Sequence, residues 1–159
     1  MLKKCLLAVM IALLVLACAV SACAAGLEDF NDYQNEDGSY TYYFMQGLFV
    51  TMPAEWYENT LVVADVNNVN FYHRDSFERY AAEGIEGGGM LFSIGCSVNT
   101  DFEEMTYIGF DEVEMLNYFA IQPTDYPAYT ADAGVRAQYD ALFAEVDAVI
   151  AGIRLANAA

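Results

Sequence analysis

The chain has 159 residues, 57% of them apolar and 14% aromatic, with 6 Lys+Arg against 23 Asp+Glu. That length suits one ordinary domain, and 22 Phe and Tyr side chains exclude a wholly disordered acidic tail, which lacks the apolar surface to offset ordering entropy. A net charge of −17 excludes nucleic acid as a direct partner, because phosphate backbones are bound by clustered Lys and Arg.

Residues 1–25 read as an export signal: Lys3-Lys4, an apolar and small run from Cys5 to Val20, then Ser21-Ala22-Cys23-Ala24-Ala25. Val20-Ser21-Ala22-Cys23 has the form of a bacterial lipobox, which makes Cys23 the expected lipid attachment site and 1–23 a signal peptide. Ala22-Cys23-Ala24 also fits ordinary cleavage and release. Cys5–Ala25 would span as an uncleaved anchor, at roughly 31 Å for 1.5 Å per residue. Two acyl chains hold a protein stably at a membrane where one does not. The remaining 4 basic and 23 acidic side chains predict a soluble monomer that does not dock on anionic lipid by itself.

Residues 24–38 are rich in acids, with Leu27, Phe30 and Tyr33 as the larger apolar groups, and predict an acidic tether with a reach on the order of 20 Å. A single α+β domain is expected over 39–159. Period-two patterns predict strands over Ser39–Met45 and Gly47–Met52, ended by Pro53, with Trp56 in a loop or helical turn. Thr60–Val66 and Val69–Arg74 predict a hairpin about Asn67-Asn68. Asp75-Ser76-Phe77-Glu78 has capping-box spacing and predicts a short helix to Ala82. Gly87-Gly88-Gly89 then breaks the chain before a strand over Met90–Val98, and Met105–Phe110 with Glu114–Ile121 predict a second hairpin.

The last element is the clearest. Val135, Tyr139, Leu142, Val146, Val149, Ile150 and Ile153 recur at helical spacing, predicting one amphipathic helix over Asp132–Arg154, near 34 Å long at 1.5 Å per residue. The expected fold is therefore an antiparallel β-sheet flanked by helices, with a long C-terminal amphipathic helix packed on it.

Several short patterns resemble one group of folds: Gly47-Leu48-Phe49-Val50-Thr51-Met52-Pro53-Ala54-Glu55-Trp56, Phe71-Tyr72, Gly88-Gly89-Met90-Leu91-Phe92-Ser93-Ile94, the Pro123-Thr124-Asp125 turn, and Val149-Ile150 with Ile153-Arg154. The resemblance is to uncharacterised exported bacterial proteins and lipoproteins of Mog1/PsbP-like architecture. It implies an antiparallel sheet flanked by helices and no chemistry, since one fold hosts many functions. No functional residue is carried over from it.

Chemical signatures are sparse. His73 is the single histidine, and a hydrolase reading pairs it with Asp75 or Asp125, whereas its alternation with Val69 and Phe71 predicts a half-buried strand residue. No G-x-S-x-G and no zinc spacing occur. Asp65-Val66-Asn67-Asn68-Val69-Asn70 resembles a Ca²⁺ loop without its Gly and terminal Glu, and Glu103-Glu104 and Asp111-Glu112-Val113-Glu114 read as solvated acidic surface. Cys96 shares a strand face with Phe92, Ile94 and Val98 and reads as a small buried hydrophobe. Trp56, Tyr57, Tyr72, Tyr126 and Tyr129 would make a stacking surface for sugar or peptide if they cluster, though Trp56 after a strand-ending Pro reads first as a lid on the core. The expectation is a membrane-tethered, extracytoplasmic binding or accessory module with no cofactor, no metal and no catalytic residue, facing a protein or saccharide of the cell envelope. The alternatives are a hydrolase-like enzyme and a Ca²⁺-responsive surface protein.

Overall fold

A computed structural model describes residues 30–44, 47–64, 68–99 and 104–158, so Cys23, the Asp65–Asn67 turn and Glu103 lie outside the described residues. The chain runs β1 (Phe30–Gln34), β2 (Tyr40–Phe44), β3 (Leu48–Met52), α1 (Ala54–Asn59), β4 (Thr60–Ala64), β5 (Asn68–His73), α2 (Arg74–Ala82), β6 (Met90–Ser97), β7 (Thr106–Asp111), β8 (Leu116–Ile121), α3 (Ala133–Phe143), α4 (Val146–Ala151) and β9 (Arg154–Leu155). It is an α+β fold with every strand pair antiparallel.

The expected single sheet is two, in the orders β1-β2-β3-β9 and β4-β5-β6-β8-β7. The division falls at Pro53, which lacks the N–H a continuing ladder would need and leads the chain into α1. Phe44 of the first sheet meets Phe71 of the second edge-on at 6.2 Å, Phe71 stacks on Phe92 at 4.3 Å, and Trp56 packs beside Phe92. Burial alternates along β3, with Leu48, Val50 and Met52 inward, so its outer face is open. In β6 the consecutive residues Leu91 to Ile94 are all buried, so both faces of that strand are covered.

Strand β1 lies inside the segment expected to be a tether. Phe30–Gln34 pairs residue for residue with Phe44–Tyr40, and the turn between them is closed by Gly38 N–H to Asn35 O (3.0 Å) and Asn35 N–H to Ser39 O (2.8 Å). The folded unit thus includes Phe30, and an unpaired tether could reach no further than residue 29. The acidic composition concealed this, because Asp32, Tyr33 and Gln34 are exposed on the outermost described strand of the sheet.

All seven apolar stripe residues from Val135 to Ile153 are buried, each contributing about 1.5–3 kcal/mol over exposure. The single 23-residue helix is corrected to two. After Phe143 the chain tightens, with Glu145 N–H bonding Leu142 O at 2.9 Å, and α4 starts at Val146. The helix stops at Ala151, and Arg154–Leu155 belongs to β9, antiparallel to β3. The 3₁₀-like turn leaves the apolar stripe in phase, so the residue pattern alone does not reveal it. The helix α2 is found where expected, but it starts at Arg74, with Asp75 in its first turn and no side-chain capping bond.

The two sheets join at one side through residues 154–158. Ala156 N–H bonds Gly47 O (2.8 Å), Glu112 N–H bonds Asn157 O (3.3 Å), and Ala158 bridges to Asp111. Asp111, expected on solvated surface, is fully buried here. Its Oδ1 accepts the N–H groups of Val113 (2.8 Å) and Glu114 (3.0 Å), and Asn157 Nδ2 reaches Oδ2 at 3.4 Å.

Candidate functional site

His73 ends β5, and the chain beyond it seals it in. Its N–H donates to Gly89 O (2.7 Å), and Gly89 N–H donates to Pro127 O (2.8 Å), drawing the glycine triplet and the proline loop over the ring. Gly89 has φ +82°, and a Cβ there would lie 2.8 Å from Ser76 Cβ and 2.9 Å from Phe77 N, so only glycine fits. Both His73 and Ser76 are 0% exposed. Gln138 donates Nε2–H to Asn59 Oδ1, which turns its Oε1 toward His73 Nε2 at 2.9 Å and fixes the Nε2–H tautomer. Ser76 Oγ accepts Tyr129 N–H at 3.0 Å and offers its own proton to His73 Nδ1 at 2.9 Å.

A serine and a histidine in contact are the beginning of a nucleophile–base pair, but here every polar atom is spent on another protein atom and the pair has no surface. Asp75 and Asp125 are exposed, and neither hydrogen-bonds the ring. The network joins β5, α2, α3 and the 123–129 loop. It is more deeply buried than a half-buried strand position, because α3 brings Gln138 and Tyr139 over it.

The other sequence candidates disperse. Trp56 is fully buried, as a core lid would be, and Tyr72 is buried too. Tyr57 stacks on Tyr40 at 3.8 Å, while Tyr129 packs against Tyr80 and beneath the Arg79 guanidinium, its hydroxyl donating to Glu83 Oε1. Tyr126 packs on Tyr139 and donates to Asp140. The five aromatics therefore form no common stacking surface. Cys96 is half-buried against the core, with Phe92 and Ile94 buried and Val98 exposed. Among the described residues, no group of three His, Cys, Asp or Glu side chains could hold a metal ion.

A site the sequence did not indicate lies between the β1–β2 turn and α4. It is an open cleft of about 680 Å³, within the range of small-ligand sites, with Met52, Pro53, Ala148 and Val149 as apolar wall and Asp37, Glu55 and Glu145 as acids. Asp37 Oδ1 accepts the Ser39 hydroxyl (2.6 Å) and the Ser39 N–H (3.0 Å), and these bonds hold its carboxyl below the ordinary value. Glu145 is anchored by Trp56 Nε1–H at 2.9 Å on Oε2. No Lys or Arg among the described residues lines the cleft. These acids come from positions 37, 55 and 145, so no spacing rule could have grouped them. The break between α3 and α4, also invisible in the apolar pattern, places Glu145 over Trp56.

No protein family, no curated protein and no solved structure matches the chain.

Proposed function

We propose that the protein is a non-enzymatic binding or accessory module outside the cytoplasm, held at a membrane by a diacylglyceryl group on Cys23, which takes a cationic group of an envelope ligand in the cleft between the β1–β2 turn and α4. The Mog1/PsbP-like architecture is part of this reading and rests on the short patterns quoted above and on the antiparallel α+β layout. The observation that carries the binding reading is the preformed cleft with three carboxylates and, among the described residues, no cation on its wall. The surplus of acids raises the local concentration of cations before they dock, and the apolar wall suits the methylene stem of an amine. No helix among the described residues is long and apolar enough to cross a membrane. The hydrolase reading has against it a histidine that no substrate can reach.

Calorimetric titration with spermidine at fixed ionic strength tests the cleft. Binding should be lost when Asp37→Asn, Glu55→Gln and Glu145→Gln are combined. It should persist when the same charge is removed at exposed Glu78, Glu86 and Asp125, which do not line the cleft. Equal loss in the two triple variants would reduce the effect to bulk charge and refute the reading. For the anchor, mass spectrometry of the mature N-terminus should find acylated Cys23, and an unmodified terminus at Ala24 or Ala25 would remove it.

A further inference from the structure

The sheets are joined at β9 and β7, and on the opposite side β1 and β4 are the outermost strands of their sheets among the described residues. Between these two edges lies a second cavity of about 390 Å³, bounded by Asp32 of β1, Tyr42 of β2, Tyr57 of α1, Arg74 of α2 and the Thr60–Val62 stretch of β4. It holds one charge of each sign, and the two are not paired with one another; among the described residues the salt bridge is between Arg79 and Asp132.

Both charges nonetheless act on the same phenols. Tyr42 is pushed above the usual phenol range by burial first and Asp32 next, Tyr57 by its hydrogen bond to Asp32, and Arg74 pulls both the other way. Arg74 donates Nε–H to Glu58 O (3.0 Å) and Nη2–H to Thr60 O (2.8 Å), which pins the guanidinium at the end of β4 and leaves the rest of its fork without an acceptor among the described residues. Thr60 is 2% exposed, and its Oγ1 is the buried side-chain oxygen that has no partner among the described residues.

We propose that this cavity binds a free α-amino acid as its zwitterion, with the ammonium on the Asp32 carboxylate, the carboxylate on the open part of the Arg74 fork, and a small apolar side chain against Leu61 and Val62. An anion alone would meet Asp32, a cation alone would meet Arg74, and a neutral molecule would leave both without an opposite charge. A zwitterion answers both with charge-assisted hydrogen bonds. The volume sits at the lower end of the roughly 300–1,000 Å³ typical of ligand sites, which fits one amino acid.

The test is calorimetry on the full chain with L-alanine and L-leucine, and with N-acetyl-L-leucine and L-leucinamide, each of which lacks one of the two charges. Both free amino acids should bind, and each capped form should bind at least about tenfold more weakly, the loss expected for one hydrogen-bonded charge. Asp32→Asn, an isosteric change at an exposed position, should weaken L-leucine about tenfold, and Glu36→Gln, outside the cavity, should not. Tyr57→Phe frees the Asp32 carboxylate from its hydroxyl partner and should preserve or strengthen binding. Affinity weaker than about 1 mM for both amino acids, equal binding of the capped forms, or an unchanged affinity in a folded Asp32→Asn variant would overturn the assignment. Spermidine binding in the other cleft is read separately and decides nothing here.

Discussion

Replacing Asp111 by Ala removes the one charged side chain that is wholly buried among the described residues, at the line where the sheets meet. The Val113 and Glu114 amides lose an ionised acceptor, and Asn157 loses a longer bond of 3.4 Å that contributes little. Val113 and Glu114 are themselves exposed, so water can partly replace the carboxylate. Each amide then costs about 1 kcal/mol, and the total loss is about 2–3 kcal/mol. At about 2–4 °C per kcal/mol for a chain of this size, thermal unfolding at pH 7 should move down by about 5–10 °C. Asp111→Asn keeps one accepting oxygen and should lose about 1 kcal/mol, whereas exposed Glu112→Gln should stay within about 0.5 kcal/mol of the parent. The Glu114 amide above all, then the Val113 amide and Asn157, holds the carboxyl below its ordinary value of 3.8. A depressed folded-state value means that this stability is fully present above 3.8 and fades as the pH falls through the folded value. The gap between parent and Asp111→Asn should therefore be widest near neutrality and close in acid. Equal melting temperatures for Asp111→Ala and Glu112→Gln, or a gap that widens in acid, would refute the reasoning.

Gly89→Ala should destabilise by at least about 2 kcal/mol, combining a left-handed backbone with contacts under 3.0 Å to Ser76 and Phe77, as measured by urea unfolding. His73→Ala should lower stability by about 2–3 kcal/mol through the orphaned Ser76 and Gln138 groups while leaving spermidine affinity unchanged; selective loss of binding with stability intact would return His73 to the functional site. Glu145→Gln should weaken the bond to Trp56 Nε1 and shift the emission of the chain's one tryptophan, and spermidine should shift it in the parent protein but not in this variant. An emission spectrum indifferent to both changes would separate Trp56 from the cleft.

The sequence carried the fold in proportion to how far burial alternates along it. The stripe from Val135 to Ile153 and the strands Leu48–Met52, Thr60–Ala64 and Leu116–Ile121 show one-sided or strongly apolar patterns, and each element is present. What composition hid were polar residues with structural duties. Asp32 and its neighbours looked like tether because an edge strand with one open face needs few apolar side chains. Asp111 looked like surface because a buried carboxylate is recognised by the amides around it and not by its neighbours in the chain. The functional groups were the least legible, since Asp37, Glu55 and Glu145, or Asp32 and Arg74, converge through tertiary packing alone.

The stitch made by residues 154–158 also sets an order of events during synthesis. Local pairings such as β1 with β2 and β4 with β5 can form as soon as their hairpins emerge, but β9 finds β3 across more than 100 intervening residues. Until the ribosome releases the final segment, the two half-built layers can meet through their aromatic faces but lack the backbone seam that ties them along one margin.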